Sequence, residues 1–113
     1  MIQPGVYNIT LQRRADFRVL LQFKDSNENP INLTGWTAVA QIWDQGRSEK
    51  YADFQTEYVN RALGQISLFL GYQETIDLPR FTEYDVLLIN PSGLREYYVE
   101  GTITASEGYT VTT

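Results

Sequence analysis

The sequence predicts an all-β domain, a sandwich or barrel of about eight short strands, and three observations carry that prediction. Residues 17–24 and 36–43 alternate apolar and polar positions in steps of two, the period of a half-buried strand. Clusters of turn-forming residues recur at roughly ten-residue spacing, the rhythm of an all-β sandwich or barrel. Only one short stretch, 75–78, reads as helical.

Taken in order, Val6 to Gln12 mixes β-branched, aromatic and polar residues and suits a first, edge-like strand. Arg13-Arg14-Ala15-Asp16 interrupts it. Strand 17–24 follows, with Phe17, Val19, Leu21 and Phe23 on one face and Arg18, Leu20, Gln22 and Lys24 on the other. Asp25 to Pro30 is turn composition throughout. Asp25, Asn27 and Asn29 also occupy the first three ligand positions of a calcium loop. That motif fails, because Pro30 stands where the loop needs Gly and Trp36 where it needs Glu.

After Leu33-Thr34-Gly35, strand 36–43 places Trp36, Ala38, Ala40 and Ile42 inward, and Thr37, Val39, Gln41 and Trp43 outward. The small inward residues predict close approach of two sheets. A polar loop spans 44–50. Strand 51–59 then turns Ala52, Phe54, Thr56 and Tyr58 to one face. Asn60 to Gly64 is a turn, and 65–70 a strand with Ile66, Leu68 and Leu70 inward and Ser67 and Phe69 outward. Thr75 to Leu78 reads as one helical turn capped by Thr75 and stopped by Pro79.

Strand 84–89 sets Tyr84, Val86 and Leu88 against Leu87 and Ile89. Asn90-Pro91-Ser92-Gly93 fits a type I turn. The return strand, 94–105, is expected to turn Tyr97, Val99, Ile103 and Ala105 inward, with Gly101 marking a bulge or a close backbone approach. Glu107-Gly108 leads into a last strand, 109–113. No internal repeat, linker or low-complexity tract is visible.

Composition excludes much chemistry. The 113 residues suffice for one domain, 1–113, with a real core and no room for a second. Cysteine and histidine are both absent. Disulfides, thiolate metal sites, the commonest general base and the commonest metal ligand therefore go with them. A net charge of −5 and scattered basic residues argue against a nucleic-acid partner. No apolar run approaches a membrane span, and Met1 leads into polar sequence, so a chain retained where it is made is expected, away from membranes. A Ser or Thr nucleophile would find only Lys24 and Lys50 as bases, each beside a turn. Glu96 with Glu100, and Asp53 with Glu57, read as solubilising pairs on outward strand faces rather than a glycosidase couple. No enzymatic activity, cofactor or metal is expected.

Two sequons, Asn8-Ile9-Thr10 and Asn32-Leu33-Thr34, carry no weight without a signal peptide. Trp36, Phe54 and Tyr97 read as core. Tyr51 and Tyr72, beside loops, are the candidate contacts for a glycan. The more informative set is apolar residues on outward faces: Leu20, Val39, Trp43, Phe69, Leu87 and Ile89. Several such residues on one fold point to a second packed surface, hence to a subunit interface and a homo-oligomer.

Tyr7-Asn8-Ile9-Thr10, Phe17-Arg18-Val19-Leu20-Leu21 and Lys24-Asp25-Ser26-Asn27 resemble the start of small bacteriophage virion proteins. The likeness continues at Pro30 to Ala38, Ala40-Gln41-Ile42, Gly64 to Leu68, Thr75, Leu78, Tyr84-Asp85-Val86 and Gly101 to Thr104. Over nearly the whole chain it is similar to the N-terminal domain of phage baseplate upper proteins and related tail or neck components. The resemblance implies an immunoglobulin-like or jelly-roll antiparallel β-sandwich. It also implies a structural role in a tailed-phage virion, in tail, baseplate or neck. Such a protein is made in the host cytoplasm, acts by symmetric assembly with other virion proteins, and has no catalytic residues to carry over. The family often places Gly where this chain has Arg13-Arg14-Ala15, so the first turn is expected to differ. A capsid decoration protein and a carbohydrate-binding module are the alternatives.

Overall fold

A computed structural model describes residues 5–107. They form two packed β-sheets, the all-β sandwich expected. The strands are β1 (Gly5–Val6), β2 (Ile9–Gln12), β3 (Phe17–Gln22), β4 (Thr37–Trp43), β5 (Lys50–Asp53), β6 (Gln55–Asn60), β7 (Gln65–Leu70), β8 (Phe81–Ile89) and β9 (Arg95–Ser106). The larger sheet runs β1-β9-β8-β4-β5, with β2 also on β9, and the smaller runs β3-β7-β6. The expected final strand, 109–113, lies outside the described residues.

The alternating faces settle as read. Ala38, Ala40 and Ile42 of β4, Ile66, Leu68 and Leu70 of β7, and Tyr84, Val86 and Leu88 of β8 are all buried between the sheets. Each large aliphatic among them contributes about 1.5–3 kcal/mol by leaving water. The alanines do mark close approach. Across the sheets the Ala38 N–H donates to the Tyr58 hydroxyl at 2.9 Å, and the Thr56 hydroxyl lies 3.5 Å from the Ala38 carbonyl.

The strand expected at 51–59 is two strands in different sheets. Its corner is Phe54, which is buried, donates its N–H to the Ala40 carbonyl at 2.9 Å and packs edge-on against Tyr84. Alternation survives the corner, so Ala52, Phe54 and Tyr58 all turn toward the core while the backbone changes partners from β4 to β7.

The first strand also divides, and its pairing is not antiparallel. β1 and β2 both run parallel to β9, Val6 opposite Glu100 and Ile9 opposite Ile103. Between them the Tyr7 carbonyl presses on Gly101, where any Cβ would collide with it. Gly101 is therefore the close approach, not the bulge. Tyr7 N–H donates to the Glu100 carbonyl, Thr102 N–H to the Asn8 amide oxygen, and the buried Tyr84 hydroxyl to the Tyr7 carbonyl.

The bulge lies at Tyr98. Register passes from Val86 opposite Val99 to Leu87 opposite Tyr97, leaving one extra residue on β9. That single insertion reverses the faces of the strand's start. Tyr97 is 51% exposed on the outer face, a correction to its expected place in the core. Tyr98 turns inward instead, its ring 6.1 Å from Phe23 and 6.4 Å from Trp36. Trp36 is half-buried, packed against the core rather than within it.

The turns obey local rules. Gly35, at φ 82°, leads out of a turn closed by Trp36 N–H on the Leu33 carbonyl, and Leu33 is fully buried. Arg61 pins that turn, its guanidinium donating to the Leu33 and Trp36 carbonyls at 3.0 and 2.8 Å while covering the Tyr58 ring. Asp25 spends its carboxylate on the N–H groups of Asn27 and Asn29, as a turn-former does. At 90–93 the Gly93 N–H donates to the Asn90 carbonyl, closing the expected turn. Arg14 takes a left-handed φ of 66°, a conformation in which glycine is at ease.

The helical turn falls at Tyr72–Thr75 (α1), not at 75–78. Thr75 ends it, buried, its hydroxyl 2.9 Å from the Tyr72 carbonyl and 3.1 Å from that of Ala15. The Asp16 carboxylate accepts the Tyr72 N–H, so the cap comes from a distant part of the chain. β8 accordingly begins at Phe81, three residues before the expected start at Tyr84.

Candidate functional site

The outward face of the larger sheet forms a groove of about 620 Å³. Its floor is set by strand register, in rows. Ile89 lies opposite Thr37 and Arg95, Leu87 opposite Val39 and Tyr97, Asp85 opposite Gln41 and Glu100, and Glu83 opposite Trp43 and Thr102. Val6 and Asn8 wall one side and the loop after β4 the other. The groove thus passes from apolar rows, with Arg95 at their end, to acidic ones, with Trp43 beside Glu83.

The loop wall is rigidly tied. The Asp44 carboxylate accepts the Ser48 N–H, the Ser48 hydroxyl and the Glu49 N–H, and the Ser48 hydroxyl chiefly holds its carboxyl below the usual range. Arg47, left-handed at φ 56°, lays its guanidinium 4.7 Å over the Trp43 ring. The Trp43 indole N–H donates to the Gln41 side chain. One face of that ring and its only donor are therefore engaged within the chain.

Asp85 and Glu100 face each other directly across β8 and β9, and like charges so placed repel. Burial raises the Asp85 carboxyl, Glu100 raises it further, and Arg47 opposes both. A raised carboxyl beside a second acid is material for proton transfer in an enclosed pocket. Here the pair lies in an open groove next to an apolar row. It can receive a cationic group, while Val39, Leu87, Ile89 and Tyr97 can cover apolar surface.

Of the outward apolar residues, Val39, Trp43, Leu87 and Ile89 come together in this groove. Leu20 and Phe69 do not. They lie on the opposite side of the molecule, on the outer face of the smaller sheet, where Leu20 is 55% exposed and pairs with Ser67. Beside it Arg18 stands opposite Phe69, its guanidinium 5.0 Å over that ring and 3.1 Å from the Glu57 carboxylate. The two candidate glycan tyrosines belong to neither face of the groove. Tyr51 packs against the core from β5, its phenol raised by burial and by Glu49. Tyr72 is 49% exposed on α1.

Tyr97, Glu100 and Arg47 escape a reading of the sequence. The bulge conceals Tyr97, and register alone reveals the meeting of Glu100 with Asp85. Glu96, expected beside Glu100, falls opposite Leu88 and so leaves that face. Among the described residues no three Asp, Glu, His or Cys side chains gather to hold a metal ion, and no helix is long and apolar enough to cross a membrane. No protein-family model and no curated protein sequence matches the chain.

Proposed function

We propose that this protein is an assembly module of a tailed-phage particle, in tail, baseplate or neck, working by association with its own kind and with neighbouring virion proteins rather than by catalysis. The observation that carries the association is the apolar row Val39-Leu87-Tyr97 with Ile89 in an open groove. A second apolar pair, Leu20 and Phe69, stands on the other side of the sandwich. Such surface is costly to leave in water and is the ordinary mark of an interface. The place in a phage particle rests on the resemblance of residues 7–104 to virion proteins.

Solution mass against concentration tests the association. A concentration-dependent rise that Leu87→Asp abolishes is expected, and a chain monomeric both alone and with the other particle proteins would refute it. Finding the chain among the proteins of purified particles tests the location. A glycan reading through the groove would use Tyr97 and Trp43, and Arg47 already covers Trp43; Tyr51 and Tyr72 lie outside it.

A further inference from the structure

The two outward faces differ in a complementary way. In the groove, an apolar row (Val39, Leu87, Tyr97) is followed two residues along β8 by an acidic one, Asp85 facing Glu100. On the back of the molecule, Leu20 is followed two residues along β3 by Arg18. Two residues of strand span about 6.6 Å in both cases, so the apolar and charged rungs share one pitch. Of the cations that line the groove, Arg95 stands two rows away from the facing acids, opposite Ile89. Arg47, the cation acting on Asp85, is already stacked on Trp43. Arg18 has exposed partners: its guanidinium lies 5.0 Å over the Phe69 ring, and its ion pair with Glu57 leaves the two side chains 57% and 68% exposed.

We infer that the groove receives the back of a second copy of this chain, with Arg18 entering between Asp85 and Glu100 and Leu20 covering Val39, Leu87 and Tyr97. The inference rests on the association proposed above and specifies its geometry. Because the two surfaces are different, the contact is heterologous. Each pair keeps one groove and one back unused, so copies add head to tail into a ring or an open filament according to the rotation between them. A guanidinium between two carboxylates also relieves the repulsion that the isolated chain carries there.

Two full-length variants test this. Arg18→Glu spoils the back and spares the groove, and Leu87→Asp does the reverse. Both positions lie on outward faces, and circular dichroism checks that both variants fold. Sedimentation up to about 1 mM chain should show wild type growing beyond a dimer. Each variant alone should associate more weakly by roughly 30-fold or more. An equimolar mixture should form a one-to-one dimer and stop there, since one intact groove meets one intact back. If wild type associates but the mixture stays monomeric, or Arg18→Glu alone associates normally, the head-to-tail geometry is overturned and association survives. If wild type is monomeric throughout, the head-to-tail geometry and self-association both fall, and only association with partners of different sequence survives.

Discussion

Replacing Gly101 with alanine tests how the start of the chain is held to the larger sheet. The added Cβ would occupy the place of the Tyr7 carbonyl, so that carbonyl has to move. Three hydrogen bonds meet at this point: Tyr84 hydroxyl to Tyr7 carbonyl at 2.5 Å, Tyr7 N–H to Glu100 carbonyl at 2.9 Å, and Thr102 N–H to Asn8 at 3.0 Å. The latter two cost about 0.5–1.5 kcal/mol each, and the buried Tyr84 hydroxyl, left without its acceptor, about 1–3 kcal/mol. Ile9 and Leu11 stay buried if the damage stops at β1, so the expected loss is about 2–6 kcal/mol. Urea unfolding followed by tryptophan fluorescence measures it. The loss should shrink by about 1 kcal/mol or more in a Tyr84→Phe background, where the hydroxyl is already gone. An unfolding free energy within about 0.5 kcal/mol of wild type would refute the close approach.

Asp85→Asn should stabilise the monomer near neutral pH by about 0.2–1 kcal/mol, by removing a like-charge pair across strands. Since the Asp85 carboxyl is raised, wild type loses stability as pH climbs from 3.8 through the raised value; the advantage of Asn should vanish in acid, as melting temperatures at dilute concentration will show. Glu107 behaves in the opposite sense. Arg14 and Arg13 lower its carboxyl, so its contribution is present above its ordinary 4.5 and lost as pH falls through the lowered value, and the melting-temperature gap to Glu107→Gln should close only in acid. Thr82 is fully buried in β8 and its hydroxyl has no partner among the described residues, so Thr82→Val should raise the unfolding free energy by about 1 kcal/mol; a loss would show that the hydroxyl is satisfied.

Side-chain alternation is a local property, which is why the buried faces of β3, β4, β7 and β8 can be read from adjacent residues. What spoils the reading is whatever local spacing leaves unmarked. Phe54 looks like an ordinary strand position because the alternation passes through it while the backbone changes sheets. One extra residue at Tyr98 exchanges the roles of two neighbouring tyrosines, with no compositional trace. The start of α1 is capped by Asp16, which no search near Tyr72 would find. The site suffers most. Four of its apolar residues are outward-facing in any register, but the carboxylate pair exists only because Asp85 and Glu100 are brought opposite each other.

The parallel pairing of β2 with β9 has a consequence for when the molecule becomes itself. Ile9 meets Ile103, and the bonds around Tyr7 and Gly101 span nearly as much of the chain. During synthesis β1 and β2 wait for β9 before they can pair, and closing so long a loop is a slow, late event in folding. Tyr97 and Glu100 also arrive with that late strand. A chain folded only as far as β8 therefore lacks one bank of its groove.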